Sequence, residues 1–462
     1  MKDNNAAWAI FCVLVILVLI LGITAWTYVP WFTSLSPLSA GDWPYLYVEQ
    51  IRHFPWLPEA RSLWLAPYNQ ILTKIVVQYM NIPWEVAEKI LWFLPFVVLS
   101  VVTSFRAFRS WISVLIYTTN TYILMIVGGG QMGIAMAYAL APWTLTRLSV
   151  LSVAIQASFD PRIAILTVLA SVFVYKPKFK NLLVVVAGTL LIHLYWIIPV
   201  IQRPGVLQER LTQVSTGMLE FLSFASFSQT ISLLHPNWPE NIFGKVYFMQ
   251  PEFLFVPIIA FSVFLFGDQK KKTIPYGLLA LVGAFLAKGT QEPFGEIYSW
   301  LFTYVPGFWL FRDSTKFYLF VALAYAYLIP KSKIPTIIII FLWAILIRQA
   351  IMHELTGTFQ PKPIEEEYIK LKELILSSPK SPTFWIPSVS RYAFSSAEYP
   401  AIAGQIGSQG YVVVPFDSRE EIFLPERAYN DSLRQELIVS ISALPNLERD
   451  TTFTKLAVWK IK

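Results

Sequence analysis

Charge is what this 462-residue chain has least of: Asp, Glu, Lys and Arg together make up 14% of it, where soluble proteins carry about 25%. So few charges cannot cover a soluble protein of this size, which removes water-soluble enzymes as a first reading. Cysteine is nearly absent as well. The single Cys12 lies inside the first apolar run, so one chain can build neither a disulfide framework nor a cysteine metal cluster. The four histidines, His53, His193, His235 and His353, lack metal-ligand spacing, and no HExxH, Walker A, GxGxxG or GxSxG pattern occurs. Zinc, nucleotide and serine-hydrolase readings therefore lose their support. Acidic residues are almost missing from the predicted spans, which argues against a proton or ion relay. Repeats, low-complexity segments and long flexible linkers are also lacking.

What is present is apolar: 55% hydrophobic and 16% aromatic residues, with mean hydropathy +0.53. The chain reads as an α-helical polytopic membrane protein. Ala6 to Trp26 is long enough, at about 1.5 Å per residue, to cross a hydrocarbon core of about 30 Å. It ends in Trp26, Tyr28, Pro30 and Trp31, an interfacial belt rather than a cleavage site, and so predicts an uncleaved anchor. Further spans are predicted at Glu88 to Phe105, Trp111 to Val127, Met132 to Thr146, Asp160 to Tyr175 and Leu182 to Ile201. Others follow at Phe253 to Phe266, Ile274 to Ala287, Phe317 to Leu328 and Pro335 to Ile351.

Between the spans lie basic patches: Arg106 and Arg109; Lys176, Lys178 and Lys180; Lys270 to Lys272; Lys331 and Lys333. If all four face the cytoplasm, the loops 27–87, 202–252 and 288–315 lie outside, and so does the tail from 355, with the N-terminus inside. Arg147 ends a span on the inner side, so Leu148 to Ser158 must also cross, although eleven residues cover only about 16 Å as a helix. That brings the total to about 11 transmembrane helices and places a cavity near Phe159, Asp160 and Pro161, since irregular backbone at that depth needs protein or water around it. Residues from Leu355 onward hold 12 basic and 13 acidic side chains, leaving 24 and 16 to the first 354. The excess behind the +7 net charge thus belongs to the membrane part and calls for no nucleic-acid partner.

Residues 355–462 have another texture. Helices are predicted at Ile364 to Leu376 and Asp431 to Leu444, and strands at Thr383 to Pro387, Gly410 to Pro415 and Phe453 to Ile461. This is a small soluble C-terminal α/β domain, extracytoplasmic by the charge argument.

Chemistry, if present, belongs to the outer face. The long first loop carries Asp42-Trp43-Pro44, then Glu49, Arg52 and His53; Asp42 is either a helix N-cap or an acidic group under an aromatic roof. Arg312 and Lys316, in Phe311-Arg312-Asp313-Ser314-Thr315-Lys316, share a face if helical, where two cations could neutralise a phosphate. Snorkelling, with Asp313 or Ser314 as cap, is the structural alternative. Gly128-Gly129-Gly130-Gln131 reads as a tight turn or a place of close approach. Asp160-Pro161 reads as a helix start or as a second carboxylate tied to Arg162.

Together these features resemble the GT-C superfamily of polytopic glycosyltransferases, which take sugars from polyprenyl-phosphate carriers. The nearer likeness is to the branch holding arabinofuranosyltransferases and the enzymes that glycosylate lipoteichoic acid. It is carried by Asn120-Thr121-Tyr122 through Gln131 to Tyr138-Ala139-Leu140-Ala141-Pro142, by Pro306 through Phe311-Arg312-Asp313 to Lys316, and by Phe159-Asp160-Pro161-Arg162. It implies a cell-envelope enzyme with a lipid-linked sugar donor, a glycan, lipid or protein acceptor, and inversion at the anomeric carbon. Asp42 is implied as the general base, with Glu49 as a neighbour that could share its work. Arg312 and Lys316 are implied at the donor phosphate, with Gln131, Asp160, Arg162 and Asp313 around them. No divalent metal or other cofactor is required by that scheme. The rival from another class is a non-catalytic scaffold or lipid-handling protein that uses the outer domain to bind a partner.

Overall fold

The computed structural model describes residues 2–33, 35, 38, 63–65, 67–68, 75–76, 79–202, 216–237, 249–266, 270–355, 366–377, 383–385, 411–414, 422–423, 428–429 and 431–461. Most of them form apolar helices, followed by a small mixed sheet. Helix α1 is Lys2–Tyr28, and Pro30 opens the 3-10 turn Val29–Phe32 that ends it. The belt there is partly turned inward. Tyr28 and Trp31 are buried, the Trp31 ring lying 4.8 Å from both Tyr28 and Phe93, while Trp26 and Phe32 stay exposed.

The next helix, α2, runs Trp84–Phe108 and contains a widened π-helical turn at Lys89–Phe93. After it come α3 Trp111–Thr119, α4 Thr121–Gly128, α5 Met132–Thr146, α6 Val150–Phe159, α7 Pro161–Tyr175, α8 Phe179–Ile192 and α9 Leu194–Gln202. Then follow α10 Phe255–Phe266, α11 Lys270–Ala287, α12 Gly295–Tyr304, α13 Tyr318–Leu328 and α14 Thr336–Leu346. Among the described residues, Leu14–Phe32 and Trp84–Phe108 are long and apolar enough to cross a membrane, and the number rises to four if two bent pairs each count as one span. Val150–Phe159, Pro161–Tyr175, Pro251–Phe266 and Thr336–Leu346 are apolar but shorter.

Both bends are built from polar side chains that take over the broken backbone bonds. Between α3 and α4 the axis turns 42° at Asn120. Its Oδ1 accepts the Ile123 N–H at 3.2 Å, and its amide donates to the carbonyls of Ile116 and Tyr117, both at 3.0 Å, and to the Tyr138 hydroxyl at 2.9 Å. Between α8 and α9 the turn is 71°, so the predicted span Leu182 to Ile201 is not one straight helix. At this bend the Trp196 indole N–H donates to His193 Nδ1 at 2.9 Å, which leaves the His193 Nε2 proton for the Ala154 carbonyl 3.0 Å away.

The residues beside the basic patches gather at one end of the bundle. Tyr175 bonds Tyr276 hydroxyl to hydroxyl at 2.9 Å, Tyr276 stacks on Tyr327 at 3.7 Å, the Phe108 ring lies 6.5 Å from Tyr327, and the Lys331 ammonium sits 4.1 Å over the Tyr327 ring.

In the tail, strands β1 Thr383–Trp385, β2 Tyr411–Val414, β5 Leu447–Asp450 and β6 Ala457–Ile461 make a four-stranded sheet in the order β1-β2-β6-β5. The β1–β2 pair is parallel and the others antiparallel, with Val412 opposite Trp459 and Leu447 opposite Ile461. β3 Ile422–Phe423 and β4 Ala428–Tyr429 form a separate antiparallel pair. Helix α16 (Asp431–Ser442) contributes Leu433, Ile438 and Ile441 to a core with Val412, Val414 and Trp459.

The preceding helix, α15 (Glu366–Ser377), is tied to this sheet by one carboxylate. Glu367 accepts the backbone N–H groups of Thr454 (2.9 Å), Lys455 (2.9 Å) and Leu456 (2.7 Å) and the Thr454 hydroxyl (2.5 Å). Partial burial alone raises its pKa, but these donors outweigh burial and hold it down to about 2. A depressed carboxylate stabilises the fold fully above its unfolded value near 4.5 and loses that contribution as pH falls toward about 2. Glu367→Gln should therefore speed hydrogen exchange at the amides of 454–456 at pH 7, and the wild type should reach the variant's rate only in strong acid. Equal protection in the two proteins at pH 7 refutes the anchoring role.

Candidate functional site

Two helix starts supply the charged groups. At the first, Asp160 is extended (φ −154°, ψ 112°), and its Oδ1 accepts the N–H groups of Arg162 at 2.9 Å and Ile163 at 3.1 Å, with Pro161 as the first residue of α7. Arg162 folds back from that turn so that Nη2 lies 2.5 Å from Oδ2 and Nε 3.1 Å from Oδ1. The cap reading and the ion-pair reading of Asp160 thus hold together.

At the second start, Asp313 Oδ1 accepts the Thr315 N–H at 3.0 Å and the Thr315 hydroxyl at 2.6 Å, while Oδ2 holds the Lys316 ammonium at 2.5 Å. Ser314 donates to the Ala287 carbonyl at 2.9 Å, and Phe308, Phe311 and Phe317 form an aromatic base with Tyr298, whose hydroxyl donates to the Phe311 carbonyl. Gly289 is needed beside it. With φ +62°, and with a Cβ there set to collide with Ser223 Oγ, no other residue fits.

The two starts share one electrostatic neighbourhood. α7 packs against α13. The Lys316 ammonium attracts Asp160 as well as Asp313, and Asp313 attracts Arg162 as well as Lys316. Burial alone raises the Asp313 pKa, yet Lys316 and the Thr315 donors hold it well below the usual carboxylate range. Asp160 and Lys316 are buried, whereas Arg162 keeps 25% and Asp313 22% of its side chain exposed, so the quartet is open on one side. Tyr122 on α4 stands beside it, stacked 5.5 Å from Tyr318 at 9°, and its hydroxyl feels Asp313, Asp160 and Arg162. Tyr122 is fully buried, and its hydroxyl has no hydrogen-bond partner among the described residues.

Aromatic residues of the first loop cover the Asp160 corner. The Trp64 indole donates to the Phe159 carbonyl at 3.0 Å, and the Tyr68 ring stands edge-on 4.8 Å from both Phe159 and Trp92. From the far side of the bend, Tyr195 donates to the Trp64 carbonyl at 2.7 Å. Gly133, just inside α5, lets that helix approach: a Cβ there would lie 3.1 Å from the Phe159 carbonyl oxygen.

Asp160, Arg162, Asp313 and Lys316 are thus brought together, and Gln131 caps α5 two residues before the Gly133 contact. Arg312 differs. The segment is two 3-10 turns, Phe308–Phe311 and Ser314–Phe317, interrupted at Arg312-Asp313, so Arg312 and Lys316 do not share one helical face. Lys316 turns inward to Asp313 while Arg312 is exposed. Asp42 and Glu49 lie outside the described residues. Their nearest described neighbour upstream is Leu38, whose N–H donates at 2.7 Å to the buried carboxylate of Glu88 on α2. Four residues of chain reach at most about 14 Å from that anchor to Asp42.

Tyr122, His235 and Glu88 are the neighbours that sequence reasoning passed over. Glu88-Lys89, an adjacent charged pair at the head of an apolar run, was a signal for one of them; a tyrosine within an apolar run carries no such mark. His235 is buried with its Nδ1 accepting the Asn237 N–H at 3.3 Å, and its backbone N–H donates to Thr121 Oγ1 at 2.7 Å. Among the described residues no group of three His, Cys, Asp or Glu side chains could hold a metal ion. No protein-family model, curated protein or solved structure matches the chain.

Burial pushes the His235 pKa from 6.5 down to about 4, against the opposing pull of Asp313. The unfolded chain therefore binds a proton that the folded one refuses, and stability present above about pH 6.5 is lost as pH falls toward 4, by roughly 3 kcal/mol once protonation is complete. His235→Asn should flatten the fall of the thermal midpoint between pH 6.5 and 4. A variant that tracks the wild type across that window contradicts the assignment.

Proposed function

We propose that the chain is a multi-pass membrane glycosyltransferase of GT-C type that moves a sugar from a polyprenyl-phosphate donor to an extracytoplasmic glycan, lipid or protein. The observation that carries this reading is the meeting of two cations and two carboxylates from separate helix starts beneath first-loop aromatics. In this reading the chain crosses about eleven times, with the basic ends inside and the charged quartet and the C-terminal domain toward the outer face. A ten-residue α6 rises only about 15 Å and a fifteen-residue α7 about 22 Å, against a hydrocarbon core of about 30 Å. The Asp160 corner then lies recessed below the outer surface, where a lipid-borne phosphate can reach it without leaving the membrane.

The chemistry asks for three things. An acceptor hydroxyl must lose its proton, and Asp42 is the proposed base. The departing polyprenyl phosphate gains charge, which Arg312 at the exposed rim and Lys316 in the buried part stabilise better in a water-poor setting than in water. Asp313 keeps Lys316 in place, and Asp160 pairs with Arg162 beside it. The closure of both ion pairs on themselves favours one other reading, a scaffold or lipid-handling protein in which the quartet merely joins helices; such a protein transfers no sugar.

Asp42→Asn keeps the shape and removes the basicity, so transfer from a polyprenyl-phosphate sugar should fall by about 10² to 10⁴ while the thermal midpoint holds. Undiminished turnover removes Asp42 from the reaction. Arg312→Ala should weaken donor binding or slow leaving-group departure, and unchanged kcat and KM would take Arg312 out of the site. Mass spectrometry of lipid extracted from the purified protein should find a glycosylated polyprenyl phosphate; ordinary phospholipids alone would favour the scaffold.

A further inference from the structure

We infer that Tyr122, Arg162 and Lys316 form the inner binding site for a phosphate group, with the Tyr122 hydroxyl donating to a phosphate oxygen. The inference rests on the proposed reading of the site as one that handles a phosphorylated lipid, and it names the residues that grip the phosphate. Two observations lead to it. The first is the Tyr122 hydroxyl itself, fully buried, without a partner among the described residues, and beside Asp160, Arg162 and Asp313. A buried hydroxyl left unpaired costs about 1–3 kcal/mol, so a partner that arrives with a ligand is a physical reason for its presence.

The second observation is how the two carboxylates divide their oxygens. Asp160 gives Oδ1 to the backbone N–H groups of Arg162 and Ile163, and Asp313 gives Oδ1 to the N–H and hydroxyl of Thr315. The shortest contact to each cation is made by the other oxygen, Oδ2, with Arg162 Nε also reaching Asp160 Oδ1 at 3.1 Å. Each aspartate therefore keeps its own donors if its cation swings away. Arg162 and Lys316 can turn from Oδ2 to an incoming phosphate without stripping either carboxylate bare, and both aspartates remain close enough to limit the net charge. The exposed sides of Arg162 and Asp313 are the way in. With the pairs closed, the site holds its cations ready and excludes weaker anions, because a ligand must offer each cation at least as much charge as the aspartate it displaces. A polyprenyl monophosphate, the leaving group of the proposed transfer, does so with about two charges; the sugar-bearing donor, a diester with one, displaces at most one aspartate, and a neutral lipid headgroup displaces none.

Tyr122→Phe separates this from a structural role, since it removes the hydroxyl and keeps the ring stacked on Tyr318. Wild type and variant, in nanodiscs, are titrated with a polyprenyl monophosphate, with the matching polyprenol and with inorganic phosphate, and their thermal midpoints are measured. Expected are about tenfold weaker binding of the polyprenyl monophosphate by the variant, no saturable binding of the polyprenol, and a midpoint equal to or above that of the wild type. Equal affinity in the two proteins overturns the role of Tyr122 and leaves the glycosyltransferase reading standing. A wild type that binds inorganic phosphate through Tyr122 but not the polyprenyl monophosphate upholds the phosphate site and overturns its lipid source. Binding of neither by the wild type overturns both.

Discussion

The largely buried meeting of Asp160, Arg162, Asp313 and Lys316 is the constraint that joins the starts of α7 and α13. A lone buried charge is costly, and a pair in good geometry with extra hydrogen bonds offsets that cost in part. Here both carboxylates have backbone donors at a helix start in addition to a cation, so the charges are held by the ends of α7 and α13 as much as by each other. Removing one partner leaves its mate uncompensated in a poorly hydrated place, and this ties the positions of the two helices together. The remaining elements serve the same corner: Gly133 lets α5 come close, Gly289 lets the loop after α11 pass, and Trp64 and Tyr68 close over Phe159.

In the proposed topology, membrane depth gives this arrangement its chemical meaning. Broken helices are tolerated in hydrocarbon only where side chains or water take up the freed backbone groups. Asn120 and His193 do so by direct hydrogen bonds to neighbouring helices. Each sits beside something the proposed site needs: Asn120 is two residues from Tyr122, and His193 turns Tyr195 and Trp196 toward Trp64. The breaks therefore place the polar ring of Tyr122 and the aromatic cover where a straight helix would carry them past the corner.

Much of this was legible in the sequence because it rests on local rules. Asp-Pro at a helix start, apolar runs and the α/β texture of the tail all depend on neighbours in the chain, and helices occur along those runs, although among the described residues only Leu14–Phe32 and Trp84–Phe108 are long and apolar enough to cross a membrane unbroken. The rest depends on tertiary contacts. In the run through His193, Gly188 and Pro199 both stand several residues from the break, which falls at His193, bonded to Ala154, 39 residues away. Arg312 and Lys316 have helical spacing, but Asp313 captures the Thr315 N–H and divides the segment into two turns. Strand β5 escaped notice because Leu447-Glu448-Arg449-Asp450 is an edge strand, where charge discourages further pairing. Tyr122 was marked only as part of the Asn120-Thr121-Tyr122 stretch of the family likeness and not as a binding residue, since its significance lies in having no hydrogen-bond partner among the described residues.

The central claim is that the quartet is a place where a lipid phosphate is held, and a structure with such a lipid bound tests it most directly. An electron cryomicroscopy map of the protein in nanodiscs containing a polyprenyl monophosphate should show phosphate density about 3 Å from the Arg162 guanidinium and the Lys316 ammonium, with both cations turned from their aspartates. Phosphate density elsewhere, with both ion pairs still closed, would contradict it.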